Sequence, residues 1–208
     1  MSIPGSSFKR SRRWFLATAL GGVGSAAAWP SPRSPRVESV VGPELLRRAL
    51  AALEEHWDRI EHRDLIAIAD FSRPSRSPRL HLLKLADGSV SSHLVAHGRG
   101  SDPARSGWLE RFSNEPRSNA TSAGAYRTSE SYVGAHGRSI RLEGLDATNS
   151  NAEQRALVVH SAWYVSQAMV GTWGMLGRSQ GCFAVSHESL EQILSELGPG
   201  HLIYADRL

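Results

Sequence analysis

Apolar positions change period several times along the chain, and each change marks an element. Between Gly42 and Ile60, Leu45, Leu46, Ala49, Leu50, Leu53, Trp57 and Ile60 recur at helical spacing with glutamates and arginines between them. This predicts an amphipathic helix over 42–60 that covers one edge or face of a sheet, with Pro43 in its first turn. From Asp64 the period shortens. Leu65–Phe71 is an apolar run of strand length, and Arg79–Leu85 and Ser89–Ala96 flank Asp87-Gly88, which reads as a β-hairpin. Residues 102–123 are rich in Ser, Gly, Asn and Pro and predict a long loop, functional or mobile in a compact domain. Ala125–Tyr132, Ser139–Leu145 and Leu157–His160 read as further short strands. Ser186 is placed to cap a helix reaching Leu197, with Leu190, Ile193, Leu194 and Leu197 on one face, and Gly198-Pro199-Gly200 stops it. Leu202–Ala205 is a last strand. The sum is a mainly β chain with flanking helices (α+β), arranged as a β-sandwich or open barrel.

The first 28 residues stand apart. Lys9–Arg13 is charged and Trp14–Ala28 is apolar and small, about 15 residues, too short to favour a membrane span of about 20. This is the pattern of an export signal, with an A-x-A site at Ala26-Ala27-Ala28 that makes Trp29 the first mature residue. Ser11-Arg12-Arg13-Trp14-Phe15-Leu16 resembles the twin-arginine signal, with Ala17 where a basic residue is usual. An ordinary secretory signal is the alternative, and either route leads out of the cytoplasm. Residues 29–40, with Pro30, Pro32 and Pro35, predict a flexible linker, which leaves 41–208 as one domain.

Composition changes this picture in three places. Hydrophobic residues make up 40% and charged residues 21%, so a real core is expected and wholesale disorder is not. The formal charge of +4 invites a polyanion partner, but Lys9, Arg10, Arg12 and Arg13 account for it; the rest of the chain is balanced. Nucleic acid binding therefore has no electrostatic support. The single cysteine, Cys182, excludes an internal disulfide and a zinc site built on cysteine pairs.

Cys182 lies in Ser179-Gln180-Gly181-Cys182, a small-residue turn, and His160 ends an apolar strand 22 residues upstream. That gap suits a strand, a connecting loop over the site and a tight turn. A thiol with a pKa near 8.5 is mostly protonated at neutral pH, and an adjacent imidazole can take its proton and hold a thiolate. A free cysteine is also commonly just a small buried apolar residue, so the residues alone leave both readings open. Gly181 permits positive φ; the N–H groups of Gly181 and Cys182 are candidate oxyanion donors, or the glycine simply makes a turn. Trp163, Tyr164 and Trp173 fall between the pair, as groove walls or as core packing. His93 and His97 share one face of a strand, but no carboxylate pattern accompanies them, and metal binding is not expected.

The segment also resembles a known family. His160-Ser161 and Ser179-x-Gly181-Cys182 are similar to the signature of the YkuD-type L,D-transpeptidases, which cross-link murein. Asp70-Phe71-Ser72, Leu94-Val95-Ala96-His97-Gly98, Phe112-Ser113-Asn114 and Gly134-x-His136-Gly137-x-Ser139-Ile140-Arg141-Leu142 resemble its murein L,D-transpeptidase catalytic domain subgroup, over roughly residues 64–205. The resemblance implies the mixed β-sandwich of YkuD domains, Cys182 as nucleophile, His160 as general base, and Ser161 orienting the ring mainly through its carbonyl. It implies stem peptides of peptidoglycan as partners, no metal or organic cofactor, acylation of Cys182 by carbapenems, and a place in the periplasm or cell envelope. His136 lies in a segment the subgroup shares, as a donor-pocket residue, a second proton carrier or a packing histidine. Two positions depart from the pattern: Gln180 stands where many members have His, and Ala184 where many have Arg. Arg178 or Arg141 is the candidate substitute for that charge. Transfer to a stem amine gives a 3→3 cross-link. Water as acceptor gives an L,D-carboxypeptidase or murein hydrolase, a protein lysine gives an anchoring enzyme, and loss of turnover gives a peptidoglycan-binding module.

Overall fold

The computed structural model describes residues 35–208; the expected export signal and residues 29–34 lie outside them. The elements are α1 Pro35–Val41, α2 Pro43–Glu55, β1 Leu65–Asp70, β2 Leu80–Lys84, β3 Val90–His93, β4 Gly124–Gly134, β5 Gly137–Gly144, β6 Val158–Ser161, α3 Gln167–Trp173, β7 Phe183–Val185, α4 His187–Glu196 and β8 Leu202–Asp206. The mainly β expectation with flanking helices holds.

All eight strands form one sheet in the order β3-β2-β1-β8-β4-β5-β6-β7, with β1–β8 and β6–β7 parallel and the other pairs antiparallel. Its two ends curl toward each other. Beyond β3, Ala96 bridges Ala184 of β7 and Gly98 bridges Ser179. The Ala96 amide donates to the Ala184 carbonyl at 2.8 Å, and the Arg99 amide to the Ser179 carbonyl at 2.8 Å. The open-barrel form of the expectation is thus the nearer one, and the Cys182 turn is part of the seam.

β1 reads as an unbroken apolar run because both of its faces are covered. Leu65, Ala67 and Ala69 enter the main core with Phe71, Tyr126 and Phe183, while Ile66 and Ile68 face the layer of α1 and α2. Tyr126 meets Phe183 edge-on with ring centroids 5.4 Å apart. α4 closes the main core with Leu190 and Ile193, its N-terminus capped by the Ser186 hydroxyl, which accepts from the Ser189 amide.

The structure departs from expectation at the linker, at the end of α2 and in two short elements. Residues 35–40 are not linker: Val37 and Val41, one helical turn apart, join the apolar layer of Leu45 and Leu46, and that burial makes α1. The expected 42–60 helix stops at Glu55, where His56 Nε2 turns to Asp146 Oδ1 at 2.7 Å; Ile60 still reaches the same layer. Two short elements, β7 and α3, have no counterpart in the sequence reading. Among the described residues no helix is long and apolar enough to cross a membrane.

Candidate active site

Strand register brings His160 and Cys182 together. β6 and β7 run parallel with His160 opposite Ala184. Cys182 directly precedes β7, beside the strand that carries His160. The excursion between them carries α3, capped by the Ser166 hydroxyl and ended by Gly174 in the left-handed region. His160 and Cys182 line one cavity of about 350 Å³ with His136, Arg155, Tyr164 and Arg178.

His160 is buried, and its Nδ1 lies 2.9 Å from the Ser161 carbonyl. A carbonyl only accepts, so Nδ1 carries the proton and Nε2 is left as the basic nitrogen. The His136 ring, at the β4–β5 turn, stacks on His160 at 4.4 Å. Burial, and secondarily His136, holds the His160 pKa below its usual value, against the pull of the Ser161 carbonyl. The Cys182 thiol is pushed up by burial, a shift opposed by the amides of Val158 and Cys182 itself and by the charge of Arg155. Its Sγ–H is directed to the Ala156 carbonyl at 3.7 Å rather than to the ring. At neutral pH the resting pair is therefore a thiol and a neutral imidazole that line one cavity.

The turn before Cys182 is held from several sides. The Ser179 hydroxyl donates to the Cys182 carbonyl at 2.6 Å and accepts from the Gly181 amide at 3.1 Å. That bond occupies the Gly181 N–H inside the turn, so of the two candidate oxyanion donors the Cys182 amide is the one this conformation leaves to consider. Gly181 has φ 121°, and a Cβ there would lie 2.8 Å from the Ala120 carbonyl oxygen and 2.9 Å from Leu157 Cδ2. Gly98 packs on the other side, where a Cβ would come within 2.8 Å of the Gly181 backbone. Both glycines are required by close approach, and at Gly181 by backbone conformation as well.

The remaining candidates scatter. Gln180 is exposed at the mouth of the cavity, and Tyr164 is a wall whose hydroxyl is pushed up to about 12 by burial. Arg178 reaches the cavity and donates to the Asp102 carbonyl. Trp163 and Trp173 are exposed and line a separate, adjoining groove. Arg141 is not at the cavity: its guanidinium lies over the Tyr132 ring at 4.1 Å and 3.5 Å from Glu130 Oε1. His93 contacts Ser91, and His97 is buried between Arg79 and Asp102. Among the described residues no three His, Cys, Asp or Glu side chains converge as metal ligands.

The sequence reading missed Arg155. Its Nη1 donates to the Ser113 carbonyl at 2.7 Å and the Ser122 hydroxyl at 2.6 Å; its Nη2 donates to the Ser118 hydroxyl at 3.3 Å and to the Ala120 carbonyl. It thereby ties the 113–122 loop to the Cys182 turn and sets a positive charge beside the sulfur. Arg155→Met is expected to slow alkylation of Cys182 by iodoacetamide at pH 8 by roughly three- to tenfold, with Arg155→Lys keeping most of the rate. Equal rates for wild type and Arg155→Met would leave the residue a purely structural role.

No curated protein matches the chain. Among solved structures it is similar to an L,D-transpeptidase from Mycobacterium smegmatis at 15% identity and TM-score 0.42, covering 69% of this chain and 58% of that one. It is also similar to the L,D-transpeptidase from Xylanimonas cellulosilytica, at 15% identity and TM-score 0.41, over 76% of this chain and 68% of that one. A third similar structure is the helical cell shape determining protein Pgp2 from Campylobacter jejuni, at 11% identity and TM-score 0.44, over 76% of this chain and 55% of that one. The chain thus spans less than two thirds of the length of the mycobacterial structure. The model of the L,D-transpeptidase catalytic domain matches residues 38–205, most of the chain and every strand that builds the cavity, and the chain therefore belongs to the L,D-transpeptidase catalytic domain family.

Proposed function

We propose that the chain is an exported cysteine L,D-transpeptidase that forms 3→3 cross-links between peptidoglycan stem peptides. The observation that carries this reading is the single cavity shared by Cys182 and a His160 whose Nδ1 is tied to the Ser161 carbonyl, leaving Nε2 free to accept a proton. In the first half-reaction Cys182 Sγ attacks the carbonyl of the third stem residue, a diamino acid, while His160 takes the thiol proton. Collapse of the tetrahedral intermediate breaks the bond to the terminal D-alanine; its amine leaves with the proton from His160, and a thioester remains. In the second, the side-chain amine of a neighbouring stem attacks the thioester, His160 takes a proton from that amine, and the thiol is regenerated. None of these steps draws on a metal or organic cofactor.

The test is mass spectrometry of purified muropeptides incubated with residues 29–208, beside the Cys182→Ala chain. A cross-linked dimer lacking one D-alanine, absent from the control, is the expected product. Release of D-alanine without a dimer would assign the same nucleophile to an L,D-carboxypeptidase or murein hydrolase. No Cys182-dependent product from several stem types would leave a peptidoglycan-binding module. Export rests on the leader at 1–28, and its test is whether Arg12→Lys and Arg13→Lys together stop translocation by the twin-arginine route.

A further inference from the structure

Beside the Cys182 cavity runs a groove of about 800 Å³ that includes Arg99, Arg105 and Arg178 together with Trp163 and Trp173. Arg178 lines both, so the groove adjoins the cavity that holds the thiol. Three features separate it from an ordinary patch of surface arginines.

The first is charge without a partner. The guanidiniums of Arg99 and Arg105 make no hydrogen bond or ion pair to any described residue, and that of Arg178 donates only to a backbone carbonyl, of Asp102. The Asp102 carboxylate is fully buried and otherwise engaged. It accepts from the Ser106 amide at 2.7 Å, the Ser106 hydroxyl at 3.1 Å and the Gly107 amide at 2.9 Å, and lies 3.4 Å from His97 Nε2. It does not reach out to neutralise the groove.

The second is rigidity. Ser75, only 1% exposed, joins the two walls: its amide donates to the Gly107 carbonyl at 2.7 Å and its hydroxyl accepts from the Leu176 amide at 3.1 Å. The Arg99 amide donates to the Ser179 carbonyl, which fixes that arginine's backbone to the Cys182 turn. The third is backbone strain. Arg105 has φ 54°, a left-handed conformation uncommon for a residue with a side chain, held by the turn that Asp102 organises. Two exposed indoles, Trp163 at 76% and Trp173 at 64%, complete the groove with flat apolar faces.

We propose that this groove is a carboxylate-binding subsite for the stem peptide, with Arg99, Arg105 and Arg178 taking a free carboxylate and Trp163 and Trp173 packing on the adjoining peptide. Arginine forks suit carboxylates because they bind them through two parallel N–H donors. A tetrapeptide stem ends in a carboxylate, on the D-alanine that leaves. The proposal rests on the transpeptidase reading for the identity of the peptide, and the groove supplies the binding chemistry.

The test uses the Cys182→Ala chain, which binds without turnover, titrated with a synthetic tetrapeptide stem and with the same peptide carrying a C-terminal carboxamide. Tryptophan fluorescence reports binding. The acid is expected to bind about tenfold more tightly than the amide, with a gap that narrows as salt is raised. Adding Arg99→Gln and Arg105→Gln together is expected to remove most of the gap. Equal affinity for acid and amide, no binding of either, or a gap that survives the double substitution would overturn the subsite. Muropeptide products made by the unsubstituted chain report separately on the activity. A chain that cross-links but does not distinguish acid from amide keeps the activity and loses the subsite. One that distinguishes them through these arginines without forming product keeps the subsite and loses the activity.

Discussion

Replacing Cys182 with alanine is expected to abolish D-alanine release, and replacing His160 with glutamine to slow it about 10²–10⁴-fold at pH 7. The two defects should differ in their pH dependence. Burial lowers the His160 pKa, so the ring is neutral and basic at pH 7 and activity persists below the ordinary imidazole value of about 6.5. It is lost as pH falls through the lowered value and Nε2 takes a proton. Burial raises the thiol, so thiolate forms unaided only in strongly alkaline solution. The His160→Gln chain must wait for that thiolate; its rate should climb steadily with pH and its deficit against wild type should narrow at the alkaline end. Cys182→Ala remains inactive at every pH. The same resting state predicts that iodoacetamide alkylates the wild-type thiol without a reactive plateau at pH 5–6. Such a plateau would reveal a stored thiolate–imidazolium pair and overturn the neutral one.

The second large effect concerns stability. Arg79 is completely buried. Its Nε and Nη2 donate to the Val95 carbonyl at 3.1 and 3.0 Å, its Nη1 to the Arg73 carbonyl at 2.8 Å, and its Nη2 also to His97 Nδ1 at 2.8 Å. The cation lies over the Phe71 ring at 4.8 Å. Burial brings its pKa down to about 9, with Asp70 and Asp102 acting the other way, so it stays charged at neutral pH. His97, its partner, is held neutral down to about 4, chiefly by burial and then by Arg79. Arg79→Leu would leave two carbonyls and the imidazole nitrogen without a donor and Asp102 without a compensating charge. The expected loss is about 3–5 kcal/mol, read as a lower urea midpoint. Arg79→Lys, which keeps the charge but not the fork, should fall between. A midpoint for Arg79→Leu within about 1 kcal/mol of wild type would refute this account.

Both sites show what a sequence displays and what it conceals. His160 and Cys182 are legible because a β-branched apolar run and a small-residue turn are local patterns. β1, β4, β5 and β8 are legible for the same reason, and α4 through its Ser186 cap. β7 is not, because three residues, Phe183–Val185, carry no period and become a strand only through β6. α3 is short, contains Gly171 and Val170, and buries none of its residues, so nothing in its pattern distinguishes it from loop. Arg79 and Arg155 read as solvated charges; their roles depend on carbonyls far away in sequence, such as Val95 and Ala120. The arginine-lined groove is assembled from residues 99–105 and 163–178 and has no continuous signature.

The strand order carries a consequence for how the chain matures. β1 to β3 form one local antiparallel set and β4 to β6 another, and β8 is the strand that joins them. Until residues 202–206 are available, a growing or refolding chain holds two half-sheets, with the inner edges of β1 and β4 unpaired. Open edges of buried strands invite association with other chains. The chain is therefore most exposed to misassembly just before β8 docks, and a truncation that removes Leu202–Asp206 opens the sheet between β1 and β4 instead of trimming its rim.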